Sequence, residues 1–310
     1  MKGQELQLHQ RKGLRETGMA IFIKGMGMSV LIMTGAITFY LFYKGMPFLM
    51  EHGIGSMLLN CRWEPTGQFP EYGISYMIGA SVFGSFGAMA AAMPLGVAVG
   101  VYIAKFAPKK LAELLETVIE LMAGIPSIIY GMAGLVQITP VLYQWEKKWI
   151  ANNTVFYIPS GGSNLLAAIF VLAIMILPTI IITSKEAVKT VPERLKREAM
   201  ALGASKVEAV IGVELKSAYH GIVTAGILGF GRVLGETMAV SLVAGGCANF
   251  PKPFASVRFL TTALVSEMGY AEGNHRKALF SIGLILYILI MLLIGGVHEF
   301  TKGRQKEKSN

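Results

Sequence analysis

Arg232 and Glu236 stand four residues apart inside an otherwise apolar run at 221–244, GIVTAGILGFGRVLGETMAVSLVA. Read as one helix, that run is long enough to cross a hydrocarbon core about 30 Å thick, and it sets Arg232 roughly 16 Å in from Gly221. A guanidinium at such depth costs at least about 2.5–3.5 kcal/mol on insertion scales, so it must face protein, water or an anion. The spacing of four predicts that both charges share a helix face and pair. Base before acid is the less favourable order for local helix stability, which argues against helix stabilisation as the reason for the charges. Two readings remain: a structural ion pair locking the helix to a neighbour, or a charged element on a solute path.

The element that must carry these charges is rich in glycine, at 226, 229, 231 and 235. Gly231 and Gly235 make a small-xxx-small face for close helix packing. The spacing of Gly229, Gly231 and Gly235 misses GxGxxG and no strand precedes it, so a dinucleotide loop is excluded.

With 53% hydrophobic and 15% charged residues among 310, the chain falls outside the soluble average of about 25% charged. Further apolar runs occur at 26–43, 76–104, 121–143, 164–183 and 279–297, so an all-α polytopic membrane protein with six spanning helices is expected. The first run is too long and too far from the start to read as a cleavable signal. With segments alternating sides, nineteen Lys and Arg fall on the side of both termini against eight on the other. Both termini are therefore expected in the cytoplasm of a cell whose plasma membrane holds the chain. The net charge of +9 then reflects topology, and nucleic-acid binding is not expected. Cys61 and Cys247 fall outside, where a disulfide is permitted but no spacing supports one.

Pro126 within AGIPS at 123–127 is expected to kink or break the third span, and Pro178 within ILPT at 176–179 invites the same expectation for the fourth. The longest internal polar segment, 184–220, carries apolar residues at helical intervals on both sides of Gly203. It predicts two short amphipathic helices hinged there, either resting on the membrane surface or docking a cytosolic partner. Outside, CRWEP at 61–65 reads as an interfacial anchor around Trp63, and His275 as a solvent-facing side chain in a charged turn. No phosphate loop, metal-ligand spacing or nucleophile elbow is present, so neither an enzyme nor a cofactor is expected.

The stretch GRVLGETMAV at 231–240, with AGIPSIIYG at 123–131, LAIMILPTI at 172–180 and SEMGYAEGNHRKALF at 266–280, closely resembles the PstC-type permease subunit of the phosphate ABC importer, over about residues 20 to 300. The resemblance implies the type I ABC importer permease fold. It also implies the partners: a PstA-type permease, two ATP-binding subunits and an extracytoplasmic phosphate-binding protein, with inorganic phosphate as cargo and the lipid bilayer as solvent. Under it, Arg232 supplies positive charge on the path, Glu236 orients it or forms a switchable pair, and Thr237 and Ser127 donate hydrogen bonds to phosphate oxygens. The family's coupling loop falls at about 198–215, with a consensus of EAA, a glycine and then I-x-LP. Aligned on Gly203, this sequence sets Arg197 where glutamate is usual, Glu198 and Ala199 next, and Val213, Leu215 and Lys216 for Ile, Leu and Pro. Glu198 is the expected contact to the ATPase.

Accumulating an anion against an inside-negative potential costs roughly 2.3 kcal/mol per charge per 100 mV, and a chain without an ATP site must take that energy from a partner. Rival readings are a permease for another oxyanion, an ion-coupled carrier with Glu236 as proton relay, and a scaffold in which the charges are structural. The expected divisions are a tail at 1–25, a first helix and loop at 26–72, a transmembrane domain at 73–298 with its coupling loop at 185–220, and a tail at 299–310.

Overall fold

A computed structural model describes residues 2–152 and 159–309; Met1 and Asn310, the outermost residues of the two expected tails, lie outside it. The first helix, α1 (Lys2–His52), runs through Pro47 and ends against α2 (Ile54–Leu59). The first expected apolar run, 26–43, thus lies within a longer helix. A two-stranded antiparallel hairpin, β1 (Trp63–Glu64) and β2 (Glu71–Tyr72), leads into α3 (Ser75–Lys105). Then come α4 (Lys109–Gly124), α5 (Ser127–Ala133), a π-helical turn (Gly134–Ile138) and α6 (Thr139–Asn152). The long α7 (Leu165–Lys189) enters a hairpin of α8 (Glu193–Ala201) and α9 (Lys206–Ala209). A second π-helical turn (Val210–Glu214) and α10 (Leu215–Ser217) lead to α11 (Tyr219–Leu234), α12 (Met238–Val243), α13 (Leu260–Glu267) and α14 (Gly273–Ser309).

Among the described residues, four helices are each long and apolar enough to cross a membrane: Met19–His52, Ser75–Lys105, Leu165–Lys189 and Gly273–Gly296. Lys109–Gly124 and Ser127–Trp149 form a bent pair at 96° that could serve as a fifth crossing. The remaining expected span, 221–244, is not one helix, because α11 stops at Leu234 and α12 starts at Met238.

The centre is α3 against α7, with α11 packed on both. Between apolar helices in hydrocarbon, association depends on close packing rather than on escape from water, which favours small residues at the contact. Gly100 of α3 meets that need: a Cβ there would lie 2.9 Å from the carbonyl oxygen of Ile181. Ala88 and Ala92 of α3 and Leu172, Ile176 and Ile180 of α7 close the core around this seam. Pro178 does not break α7, contrary to expectation; it is buried in an unbroken helix held between neighbours, where a missing N–H is tolerated.

Ion pairs anchor the hairpin end of the bundle. Lys105 Nζ, at the end of α3, lies 2.6 Å from Glu214 Oε1, with side chains 9% and 0% exposed. Lys185 and Lys189 of α7 reach Glu116 of α4 at 3.2 and 3.1 Å.

Candidate functional site

The two helix breaks meet. Helix α4 ends at Gly124, Ile125 is extended, and Pro126 precedes α5, which begins at the half-buried Ser127. Proline supplies no N–H, so the chain turns where a continuous helix would need that donor. Tyr130, one turn on, reaches back to donate its hydroxyl proton to the Met122 carbonyl at 2.7 Å, tying the two sides of the break together. Helix α5 then lies against α12 so closely that a Cβ on Gly131 would sit 2.8 Å from the Ala239 Cα.

The second break separates the charges expected to pair. Helix α11 closes with Gly235 N–H bonded to Gly231 O and Glu236 N–H to Val233 O, after which the backbone leaves the helix. The freed Glu236 carbonyl accepts the Thr261 hydroxyl at 2.8 Å. Glu236 turns its carboxylate to the Ala239 N–H at 3.1 Å, filling one of the orphan donors that open α12. An anion at a helix start is also favoured by the helix dipole. Arg232, in the last turn of α11, instead donates from Nη1 to Thr179 Oγ1 of α7 at 3.1 Å. The shared helix face is thus overturned: the two residues lie on opposite sides of a helix end and form no ion pair among the described residues.

Arg232 is exposed, Glu236 and Thr237 are half-buried, and the Thr237 hydroxyl bonds within its own turn to Gly235 O at 3.4 Å. Sequence reasoning missed Thr179 and Tyr130. The only available signal for Thr179 was a hydroxyl directly after a proline in an apolar span. A cavity of about 870 Å³ has Ser160, Ser163, Ser241, Asn249, Lys252 and Ser256 in its lining, with Ser241 contributed by α12 itself.

The hairpin forms as its sequence foretells. Gly203 has φ 97°, a left-handed position that glycine takes without a Cβ clash. Around it Gly203 N–H bonds to Met200 O and Ala204 N–H to Ala199 O, a Schellman ending for α8. Ser205 and Glu208 then form a capping box that starts α9. Glu198 is exposed and pairs with Arg194 at 3.0 Å, Arg197 is exposed, and Ala199 is half-buried. Leu202 stands 91% exposed at the tip, with Val207 and Ile211 following on the same hairpin.

At the opposite end lies a cluster that no local spacing announced. Glu267 is 4% exposed and accepts from Trp63 Nε1 at 2.9 Å, from Arg258, and contacts His275 Nε2 at 2.8 Å. His275 is therefore buried rather than solvent-facing, and Trp63, expected as an interfacial anchor, is half-buried with its indole N–H on Glu267. Both cysteines are free and exposed.

Residues 96–306 match the family described as binding-protein-dependent transport system inner membrane component. Similar relatives include the probable ABC transporter permease protein YqgH of Bacillus subtilis, 31% identical over 294 residues, covering 92% of this chain and 90% of the relative. The phosphate transport system permease protein PstC of Xylella fastidiosa is 32% identical, with 85% and 86% covered. That of Pasteurella multocida is 34% identical, with 77% of each covered. Among solved structures, the inward-facing MetNI methionine ABC transporter superposes with TM-score 0.56 at 20% identity, over 74% of this chain and 95% of that one. A bacterial ABC transporter involved in import of the acidic polysaccharide alginate gives 0.54 at 12% identity, over 90% and 96%. These two likenesses bear on the fold.

Proposed function

The chain belongs to the binding-protein-dependent transport system inner membrane component family, and from that premise we propose that it is the membrane-spanning permease subunit of an ATP-binding cassette importer for inorganic phosphate. The relatives whose names specify a cargo name phosphate. The observation that carries the reading is Arg232: an exposed guanidinium in an apolar region, bonded to one neutral hydroxyl and to no carboxylate among the described residues. A cation so placed keeps donors free for an anion. A cavity whose lining includes Ser160, Ser163, Ser241 and Lys252 adjoins α12, the helix that follows the break after Arg232, and offers further polar groups to an anion. Ser127, at the start of α5, and Thr237, before α12, flank the same pair of breaks and are kept as path residues.

Residues 73–298 form the translocating unit, with the first helix and loop at 26–72 attached to it, and both termini face the cytoplasm. The hairpin of α8 and α9 then lies inside, where its exposed Leu202, Arg197 and Glu198 meet an ATP-binding subunit. Gly203 sets the shape of that contact. Two such subunits, a PstA-type permease and an extracytoplasmic phosphate-binding protein complete the assembly.

The test is radiolabelled phosphate uptake into liposomes holding either this chain alone or the whole assembly. The chain alone should accumulate nothing; the assembly should accumulate phosphate only with internal ATP. Loss of a charge-assisted hydrogen bond is worth about 1.5–3 kcal/mol, so Arg232→Ala should lower uptake roughly 10- to 100-fold. Uptake by the isolated chain, or full uptake by the variant, would sink the reading.

A further inference from the structure

We propose that Thr179 is a second direct ligand of the transported oxyanion, holding it jointly with Arg232. The inference rests on the reading of Arg232 as an anion station. It is carried by the state of one hydroxyl. Thr179 Oγ1 accepts from Arg232 Nη1 at 3.1 Å, and its own proton has no acceptor among the described residues. Thr34, Thr117 and Thr224 each return the proton to the carbonyl four residues back, at 2.9 Å. Thr179 does not, although the Met175 carbonyl stands at that same spacing. Thr183, one turn further along α7, also keeps its proton among the described residues, but Thr179 alone of the two is held by a cation. A half-buried hydroxyl that has taken a bond from a cation and kept its proton is a donor waiting for an acceptor.

The pair suits a tetrahedral oxyanion. One oxygen can take a guanidinium N–H from Arg232 while the next takes the Thr179 O–H, two bonds fixed by groups already in contact with each other. A hydroxyl differs from the guanidinium in also offering an acceptor lone pair. Phosphate at neutral pH still carries a P–OH proton and sulfate carries none, so Thr179 can bond phosphate in either orientation and sulfate in only one. The sequence-level candidate Thr237 is a weaker partner, because its hydroxyl is already bonded to Gly235 O. Thr179 is also well placed mechanically, on the buried and unbroken α7, while Arg232 sits on a helix that ends two residues later.

The experiment uses the complete assembly in liposomes with saturating phosphate-loaded binding protein, reading phosphate uptake and ATP hydrolysis in parallel. Thr179→Val removes the hydroxyl and keeps the shape. It should cut uptake about tenfold, the worth of one hydrogen bond near 1.4 kcal/mol, while hydrolysis stimulated by the binding protein stays near the wild-type rate. Thr179→Ser should restore uptake. Parallel loss of uptake and hydrolysis would assign Thr179 to packing and overturn the proposal, as would a serine variant no better than valine, or a valine variant that transports normally while Arg232→Ala fails. Failure of the wild-type assembly to take up phosphate would instead remove the cargo assignment on which this inference stands.

Discussion

Two charged clusters in this molecule solve the same problem in opposite ways. Glu267, buried at one end of the bundle, is met by an indole N–H, a guanidinium and an imidazole drawn from β1, from the strand of chain before α13, and from α14. Arg232, at the junction of two broken helices, meets one threonine hydroxyl. A buried carboxylate without partners would be strongly unfavourable, so the first cluster is saturated and holds four separate segments together. The second is exposed and has donors left over, which is the condition a site must satisfy if its partner is to arrive and leave. The difference separates a charge that builds the fold from one that the fold displays.

The largest expected effect tests the saturated cluster. Glu267→Ala would leave Arg258 facing His275 and Trp63 without the carboxylate between them, and removing one member of a buried ion pair costs about 3–5 kcal/mol. A large drop in the melting temperature of the purified assembly is expected, with loss of protein from the membrane fraction. Arg232→Ala should melt like the wild type. If the two variants exchanged these behaviours, the contrast between the clusters would be wrong.

The sequence told these clusters apart only in part, and the reason is the range over which each feature is determined. The break at Pro126 was legible because a proline without an N–H after Ala-Gly acts on its own neighbours. The hairpin was legible for the same reason, since Gly203 and the Ser205 to Glu208 capping box are complete within a few residues. The break after Leu234 was not, because GRVLGET reads as continuing helix. What ends it is distant: Thr261 taking the Glu236 carbonyl, and α5 lying against the start of α12. Pro178 misled in the other direction, since tight packing kept its helix whole. Residues 63, 258, 267 and 275 have no periodic relation, so their meeting could be seen only in three dimensions.

A second, smaller effect sharpens the account of Arg232. In the structure Glu236 is a cap for α12 and not the arginine's counter-ion. Glu236→Gln keeps an oxygen to accept the Ala239 N–H, whereas Glu236→Ala removes it at about 1 kcal/mol, the usual worth of a helix cap. The glutamine variant should therefore transport far better than the alanine variant, and amide exchange over 238–243 should rise only in the latter. A glutamine variant as inactive as Arg232→Ala would restore the switchable ion pair and would mean that the arginine is partnered during transport.

The smallest effect concerns a third carboxylate, one that is exposed and serves only a local cap. The Ser205 backbone N–H, and then its hydroxyl, hold the Glu208 carboxyl below the usual carboxylate range. A group whose folded-state pKa is depressed contributes stability above its unfolded value, near 4.3, and that contribution is lost as pH falls through the lower folded value. Acidification from pH 6 toward 3 should thus loosen the first turn of α9, read as faster amide exchange at 206–209, with Glu208→Gln insensitive over that interval. Unchanged exchange at 206–209 over that interval, or a Glu208→Gln variant that loosens just as the wild type does, would show that the carboxylate does not hold this turn and that the cap rests on the Ser205 hydroxyl alone.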